Sequence, residues 1–212
     1  MRANIKNKIR KLENAGFNMW NQSPQGSATI SDPQGQAEFY PQDLTTTDKS
    51  IAPFVPSPMD VVKMMLDLAD LQPGELLFDL GCGDGRIVLS AVKDYGSMAM
   101  GVDLNARFVE EARKKAEKLG LMDRAQFVDG NMFDVDLRSA DVVTMYLLRK
   151  ANEQVKPKLE SELKIGARVI THDFPIPSWK CETRVDLGGE SGRHTVYLYV
   201  WRGLDCTGRL LS

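Results

Sequence analysis

Hydrophobic residues follow two alternating patterns along the chain from about residue 51 onward. In the first pattern, apolar residues recur every three or four positions, as on one face of a helix. In the second, short runs are almost continuously apolar, as in strands that are buried on both faces. This alternation predicts a parallel sheet with helices on both faces. The helical pattern covers 57–71, 85–96, 106–120 and 152–164, and the strand pattern covers 75–80, 98–104, 125–129, 141–148 and 167–174.

The alternation stops after residue 174, because too few residues remain for a crossover helix before the apolar run at 195–201. The stretch 179–201 instead predicts two strands joined around Gly188 and Gly189, which is typical of an antiparallel hairpin. The expected fold is therefore α/β. It is a Rossmann-like, doubly wound sheet of seven strands, mostly parallel with a C-terminal antiparallel hairpin.

The first fifty residues have a different composition. Five basic residues precede the first acidic one, Glu13, and the stretch 21–36 is rich in Pro, Gly, Ser and Gln without any period. This composition is typical of a flexible segment. We expect a flexible N-terminal extension over 1–50 and one folded domain over 51–212. The basic cluster favours a solvated tail, with contact to an acidic partner or weak targeting as alternatives.

Composition narrows the expected compartment and partners. A net charge of −2 and a pI near 5.8 give no overall positive footprint for nucleic acid. No apolar run approaches the roughly 20 residues that a membrane-spanning helix needs. The three cysteines, an odd number without metal-ligand spacing, favour a reducing compartment over a disulfide framework. We therefore expect a cytoplasmic protein with no metal site, no membrane span and no nucleic-acid partner.

The stretch FDLGCGDGRI at 78–87 holds three glycines directly after the first predicted strand. In a doubly wound sheet, the turn after this strand is the usual seat of a ligand. The spacing is G-x-G-x-G, because Arg86 stands where a dinucleotide fingerprint needs its third glycine. A P-loop does not fit either, since no Gly-Lys-Ser/Thr follows. Neither phosphate-binding motif therefore describes this turn.

Two carboxylates accompany the glycines of this turn. Asp79 and Asp84 favour a ligand with positive charge, and S-adenosylmethionine carries an ammonium and a sulfonium but no phosphate. We expect both aspartates to face the amino-acid end of this cofactor, directly or through water. Gly81, Gly83 and Gly85 are expected to pass under the ligand, because they have no side chains to block a close approach.

Two further polar residues follow the next two predicted strands. Asp103 ends the second strand, where a carboxylate can accept hydrogen bonds from both hydroxyls of a ribose. Its alternative role is a helix cap, for which Asn105 competes. Asn131 follows the third strand, where its amide offers a donor and an acceptor to an adenine edge. The alternative for Asn131 is an ordinary turn residue.

Several segments together resemble one group of methyltransferases. They are FVPSPMDVVKMML, FDLGCGDGRIVLSA, VTMYLL, NEQVKPKLESELKIGARVITHDFPIPSW and HTVYLYV. Over residues 51–201 the chain is similar to the small class I methyltransferases related to the archaeal and animal mitochondrial protein-lysine methyltransferases. The resemblance implies S-adenosylmethionine as methyl donor and protein lysine as acceptor. Phe54 and Pro56, in the stretch FVPSP, are expected to form part of a lid over the donor. A small-molecule acceptor and a non-catalytic S-adenosylmethionine-binding module are the alternatives.

Residues after the fourth and fifth predicted strands are candidates for the acceptor side of an active site. Tyr146 could align a lysine amine through its ring face or hydroxyl, and it is equally compatible with a core aromatic at a strand end. Asn152 could accept a hydrogen bond from the amine. Asp173 and His172 are expected at the same rim, although a lone histidine is more often structural. The catalytic candidates are therefore Tyr146, Asn152 and Asp173.

The sequence after the fourth strand argues against methylation of nucleic-acid bases. Enzymes that methylate a base amino group carry Asp/Asn/Ser-Pro-Pro-Tyr/Phe there, whereas this chain has MYLL at 145–148. Cytosine-C5 methylation needs a cysteine close to the methyl, and Cys82, Cys181 and Cys206 all lie elsewhere. A lysine amine needs no dedicated base, because burial beside a cation favours its neutral form.

Overall fold

The computed structural model describes residues 55–189 and 192–203. The predicted extension over residues 1–50 lies outside the described residues, as do Phe54 and Cys206. None of the helices in the described ranges is long and apolar enough to cross a membrane. The helices are α1 (Met59–Leu68), α2 (Arg86–Tyr95), α3 (Ala106–Lys118) and α4 (Arg149–Glu162). The strands are β1 (Leu76–Leu80), β2 (Met98–Asp103), β3 (Ala125–Asp129), β4 (Val142–Met145), β5 (Arg168–His172), β6 (Thr183–Gly189) and β7 (Gly192–Val200).

The seven described strands form one sheet in the order β3-β2-β1-β4-β5-β7-β6. Strands β1 to β5 run parallel, whereas β7 is antiparallel to both β5 and β6. The α/β, Rossmann-like sheet and its C-terminal hairpin are therefore confirmed. Strand order reverses at β1, because β2 and β3 continue on one side of it and β4 and β5 on the other. Ligands bind such sheets at the carboxyl ends of the strands beside this reversal.

Helices cover both faces of the sheet, as predicted. On one face, α1 and α3 bury Val62 and Val109 in a cluster that includes Leu77 of β1. On the other face, α4 buries Val155 in a cluster that includes Phe78. Because consecutive strand residues point to opposite faces, the neighbours Leu77 and Phe78 anchor the two layers. The central strand β1 is thus buried on both sides and holds the turn that follows it.

Three strands end earlier than their apolar runs predict. Strands β2, β4 and β5 end at Asp103, Met145 and His172, whereas the runs extend to residues 104, 148 and 174. After β4 the apolar run outlasts the strand, because Leu147 stays buried in the loop. Helix α4 also begins before residue 152, since the Leu148 carbonyl already accepts a hydrogen bond from the amide of that residue. The residues after β4 and β5 therefore lie on loops at the carboxyl edge.

Candidate active site

The turn between β1 and α2 is tied to the end of the neighbouring strand β2. The amides of Gly81 and Cys82 both donate hydrogen bonds to the carbonyl of Val102, at N–O distances of 2.9 and 3.0 Å. Gly81 has a φ of 80° and is exposed at the carboxyl edge of the sheet. This part of the turn therefore presents bare backbone at the strand reversal, where a ligand can approach closely.

Gly85 has a packing reason to lack a side chain. It precedes α2 with a φ of 79°, a left-handed conformation that favours glycine. A Cβ atom at this position would lie 2.7 Å from the Cβ of Ala112 and 2.7 Å from the ring of Phe127. Gly85 thus allows α3 and β3 to pack against the turn. Its contact with a cofactor stays a prediction.

Asp103, at the end of β2, holds the same turn from the side. Its carboxylate accepts hydrogen bonds from the amides of Gly83 and Asn105, at 2.8 and 2.9 Å. The side chain of Asn105 in turn accepts a hydrogen bond from the amide of Arg107 and caps α3. The helix-capping role considered for Asp103 therefore belongs to Asn105. Asp103 instead lies beside the glycines of the turn. Its hydrogen bonds to a ribose stay a prediction.

Asp79 is a carboxyl group buried within the sheet. It lies opposite Thr144 of β4, whose hydroxyl donates a hydrogen bond of 2.7 Å to it. Burial raises the pKa of Asp79 to about 7; the hydrogen bond from Thr144 opposes this shift, and the charges of Asp103 and Asp84 add to it. A cation close to Asp79 would favour its charged form, whereas a phosphate would disfavour it. The charge at this end of β1 therefore fits a cationic ligand.

Asp84 differs from Asp79 because two cations already bind it. Arg86 contacts both carboxylate oxygens, at 2.9 and 3.0 Å, and the Nζ of Lys115 lies 3.0 Å from Oδ2. Partial burial raises the pKa of Asp84, but the hydrogen bonds from these two cations outweigh it and lower the pKa to about 2. Arg86 also donates to the carbonyl of Ser57 at 2.7 Å, next to the exposed Pro56. Asp84 thus fastens the segment before α1 to the turn, and its direct contact with a ligand stays a prediction.

The loop after β3 begins at Asn131, which is exposed. Its side chain accepts a hydrogen bond of 3.1 Å from the amide of Phe133 and begins a short 3-10 helix, Met132–Asp134. Asn131 therefore acts as a turn residue, which is the alternative that the sequence left open for it. The amide of Gly130 donates to the carbonyl of Asp103 at 3.0 Å, which keeps the loop beside the end of β2. Contact of Asn131 with an adenine edge stays a prediction.

The loops after β4 and β5 meet through Tyr146 and Asp173. The hydroxyl of Tyr146 donates a hydrogen bond of 3.2 Å to Oδ2 of Asp173, and its ring centroid lies 3.8 Å from that of His172. Burial raises the pKa of Tyr146 to about 12, with the charge of Asp173 and the hydrogen bond to it adding to the shift. Tyr146 is therefore a neutral hydrogen-bonding group near pH 7. The structure brings these two candidates together at one rim.

Asp173 has a backbone conformation that residues with side chains rarely adopt. Its φ is 58°, in the left-handed region. Its amide donates to the carbonyl of Thr195 at 2.7 Å, and the amide of Thr195 donates to Oδ1 of Asp173 at 2.8 Å. These two bonds to β7 offset the conformational cost and fix the carboxylate. Strain of this kind is concentrated at functional sites.

Asn152 is fully buried near the start of α4. Its Nδ2 donates a hydrogen bond of 2.9 Å to the carbonyl of Phe174, the residue after Asp173. Its Oδ1 is buried and has no hydrogen-bond partner among the described residues. A buried acceptor of this kind is unusual and calls for an explanation, such as a catalytic role. The bond to Phe174 places Asn152 against the segment that carries Asp173.

Two histidines and a serine extend this rim. The Nδ1 of His172 lies 2.9 Å from the hydroxyl of Ser57, and its Nε2 lies 2.9 Å from Nδ1 of His194. Burial lowers the pKa of His172 to about 4 despite the nearby charge of Asp173, so its ring is neutral near pH 7. Sequence analysis did not single out Ser57 or His194. The pairing of β5 with β7 brings His194 here, because His172 lies opposite Val196, two positions further along β7.

Comparison with known proteins relates this site to methyltransferases. The family model of the ANTKMT methyltransferase domain matches residues 79–183, a range that includes Asp79 and Asp173. A protein-lysine N-methyltransferase from Saccharolobus islandicus is 46% identical over 149 residues, which are 70% of this chain and 92% of that protein. An adenine nucleotide translocase lysine N-methyltransferase from Mus musculus is 35% identical, over 60% of this chain and 56% of that protein.

A solved structure shows the same fold with a ligand. The RNA methyltransferase from Salinibacter ruber, in complex with S-adenosyl-L-homocysteine, is 39% identical with a TM-score of 0.67. The alignment covers 70% of this chain and 94% of that chain. Its ligand is S-adenosylmethionine without the transferable methyl group. The carboxylate-lined turn of the present chain, which lacks both phosphate-binding motifs, is consistent with the same cofactor.

Proposed function

This chain belongs to the protein-lysine N-methyltransferase family, and we propose that it transfers a methyl group from S-adenosylmethionine to the side-chain amine of lysine in a protein. The observation that carries the proposal is the 46% identity over 92% of the Saccharolobus islandicus enzyme. The carboxyl edge of the sheet also supports the proposal, because two groups of polar side chains lie there. One group lies at the turn after β1 and the other at the rim after β4 and β5.

The turn after β1 forms the donor side in this proposal. Asp103 accepts hydrogen bonds from the ribose hydroxyls, and Asp79 stabilises the ammonium of the amino-acid end, directly or through water. Bound S-adenosylmethionine supplies an electrophilic methyl group on a sulfonium. Gly81 leaves the backbone open beneath the ligand, and the buried Gly83 keeps the turn beside Asp103 through its amide. The remaining donor-side residues are Phe54 and Pro56 in a lid, Asn131 at the adenine, and Asp84 and Gly85 as supports of the turn.

The rim after β4 and β5 forms the acceptor side. The oxygen of Tyr146 still has a lone pair for an N–H of the lysine amine while its own hydroxyl donates to Asp173. The unpartnered Oδ1 of Asn152 is a second acceptor for the same amine. The negative charge of Asp173 attracts the lysine from solution while it is still an ammonium. These residues orient the amine for in-line attack, which is the main requirement of a displacement reaction.

The lysine must lose a proton before it attacks, because an ammonium has no lone pair. Moving its pKa from about 10.4 to neutral pH corresponds to roughly 4 to 5 kcal/mol. Desolvation and the adjacent positive sulfonium both favour the neutral amine. The neutral oxygen acceptors Tyr146 and Asn152 add no negative charge that would hold the lysine as an ammonium, whereas the nearby carboxylate of Asp173 opposes the loss of the proton. The ammonium releases its proton to water before the attack, and the new N–C bond forms as the S–C bond breaks and S-adenosylhomocysteine leaves. A strong dedicated base is therefore not needed in this scheme.

The acceptor class is tested by following the methyl group. Purified protein is incubated with S-adenosylmethionine labelled in the methyl group and with a cell extract, and portions are then treated with protease or ribonuclease. We expect the label in discrete protein bands that protease removes and ribonuclease leaves. Label that ribonuclease removes would favour RNA, the acceptor in the name of the Salinibacter ruber neighbour. Label found only in small metabolites would favour a small-molecule acceptor.

We further propose a cytoplasmic location, a protein rather than a nucleic-acid partner, and a flexible extension over residues 1–50 before a methyltransferase domain over 51–212. Cys82 and Cys181 support the location, since both are free thiols, as is usual in a reducing compartment. The net charge of −2 supports the choice of partner, because it provides no overall attraction to phosphate backbones.

A further inference from the structure

The two histidines of the whole chain meet at the rim, beside one carboxylate oxygen. The sequence contains only His172 and His194, and they lie at the end of β5 and in β7. We propose that His172, Asp173 and His194 form a binding site for a divalent transition-metal ion of the zinc class. The proposal concerns metal binding and does not depend on which acceptor is methylated, but it shares Asp173 with the acceptor side, and with a metal bound this carboxylate would no longer attract a lysine ammonium.

The three candidate ligand atoms form a triangle of the right size. Nε2 of His172 lies 2.9 Å from Nδ1 of His194, and Oδ2 of Asp173 lies 3.3 and 3.4 Å from these two nitrogens. Zinc binds such atoms at about 2.0 to 2.2 Å, so ligands at right or tetrahedral angles stand about 2.8 to 3.6 Å apart. All three measured separations fall in this range. These separations therefore allow one metal ion to contact all three atoms.

The hydrogen-bond partners of the ligand side chains are also arranged as in metal sites. A histidine that binds a metal usually donates its other ring N–H to a nearby oxygen, which fixes the ring. With Nδ1 protonated, His172 donates to the hydroxyl of Ser57 at 2.9 Å and presents the lone pair of Nε2. Ser57 is itself held, because its carbonyl accepts a hydrogen bond of 2.7 Å from Arg86.

The carboxylate of Asp173 is fixed in the same way. Its Oδ1 accepts a hydrogen bond of 2.8 Å from the amide of Thr195, and its Oδ2 accepts one of 3.2 Å from Tyr146. The left-handed backbone of Asp173, with a φ of 58°, fixes the start of this side chain. Both His172 and Asp173 are thus oriented by neighbours that would not themselves bind the metal. This is the supporting arrangement that metal ligands need.

The donor set indicates which ions fit. Two imidazoles and one carboxylate suit Zn²⁺, Co²⁺, Ni²⁺ or Fe²⁺, whereas Mg²⁺ and Ca²⁺ prefer oxygen ligands. Three protein ligands leave at least one coordination position for water or another donor, as in zinc sites that are not purely structural. The site escaped sequence analysis because its histidines lie on different strands, 22 residues apart, and follow no ligand-spacing motif.

The alternative is that the same three side chains only hydrogen-bond to one another, with a proton between the two imidazoles. Titration of the untagged, chelator-treated full chain with Co²⁺ separates the two cases, because the visible absorption of Co²⁺ reports nitrogen and oxygen ligation. We expect saturation at about one equivalent and no competition from Mg²⁺. His194→Gln should weaken binding at least about tenfold. Cys181→Ser, which removes a partly exposed thiol, should leave binding unchanged.

A second measurement uses the unsubstituted chain, so its result does not depend on whether a variant folds. Zn²⁺ should shift the imidazole NMR signals of both histidines together, and no other histidine signals exist to confuse the assignment. The proposal is overturned if Co²⁺ does not bind, or if binding persists in His194→Gln. It is also overturned if binding is lost in Cys181→Ser, or if Zn²⁺ leaves both imidazole signals in place.

Discussion

The hydroxyl of Tyr146 donates a hydrogen bond to Oδ2 of Asp173 at 3.2 Å, which joins the loop after β4 to the end of β5. Neither residue lies within a strand or helix, and both follow strands that end at the carboxyl edge of the sheet. This bond leaves the phenol oxygen able to accept from an incoming amine while its own proton is held. The acceptor side of the proposed function depends on this relationship.

Tyr146→Phe removes the oxygen and keeps the ring against His172. We expect kcat for methyl transfer to fall about tenfold or more, since an interaction with the attacking group is lost. Donor affinity should change little, because Tyr146 is not assigned to the nucleoside. Steady-state kinetics and calorimetry with S-adenosylmethionine measure the two effects separately. Unchanged turnover would remove the phenol from the acceptor side.

Asn152→Ala tests the buried acceptor. The substitution removes Oδ1 and also the bond from Nδ2 to the Phe174 carbonyl, so we expect it to lower both turnover and the free energy of unfolding. The loss of stability should be about 1 to 3 kcal/mol, the range for leaving a buried group unpaired. Asn152→Asp, which keeps an oxygen but loses the donor, is the comparison variant. Normal turnover in Asn152→Ala, measured with folded protein, would contradict the assigned role.

Asp103→Ala tests the donor side. We expect S-adenosylmethionine binding to weaken by about 1 to 3 kcal/mol, as for lost hydrogen bonds to a charged group. Asp94→Ala is the matched control, since it removes an exposed carboxylate near the opposite end of α2 from the turn. Calorimetry should show a loss of affinity for the first variant only. Equal affinities in both would exclude Asp103 from the ribose site.

The raised pKa of Asp79 predicts an unusual pH dependence of the free energy of unfolding. The pKa is about 7 in the folded chain and 3.8 for an ordinary aspartate, as in the unfolded chain, so the folded state binds more protons between these two pH values. The contribution of Asp79 to stability is therefore fully present below pH about 4 and is lost as the pH rises towards 7. Asp79→Asn should flatten this part of the profile of unfolding free energy against pH. Urea unfolding at a series of pH values measures it, and identical profiles would contradict the raised pKa.

Much of the fold could be predicted because the sequence pattern is strong in its central part. The runs that became β1, β2, β4 and β5 are rich in apolar residues, as is typical of strands buried on both faces of a sheet. Strand β3 lies at the edge of the sheet, and its run is less apolar because Gln126 is exposed. The hairpin could be predicted from the missing crossover helix, but its turn lies later than predicted, because Gly188 and Gly189 still belong to β6 and pair with Arg193 and Gly192 of β7. Strand ends could be predicted less well, because apolar residues such as Leu147 remain buried after the chain has left the sheet.

The candidate site could be predicted in part. Residues that follow a strand, such as Asp103 and Tyr146, could be identified because parallel strands bring their carboxyl ends to one edge. The pairing of Asp84 with Arg86 and Lys115 could not, since Lys115 lies on a helix 31 residues away and its approach depends on packing. The same holds for His194, which reaches His172 through the register of an antiparallel pair. Contacts set by tertiary packing and register have no local signature in the sequence.

Mass spectrometry of the acceptor tests the central claim most directly. Purified enzyme and a cell extract are incubated with S-adenosylmethionine that carries a deuterated methyl group, and the digested proteins are searched for the added mass. We predict that the heavy methyl groups lie on lysine side chains, and that fewer of them form at limiting S-adenosylmethionine when Asp103→Ala replaces the unsubstituted enzyme. Heavy methyl groups found only on RNA or on free metabolites, with none on lysine, would contradict the account.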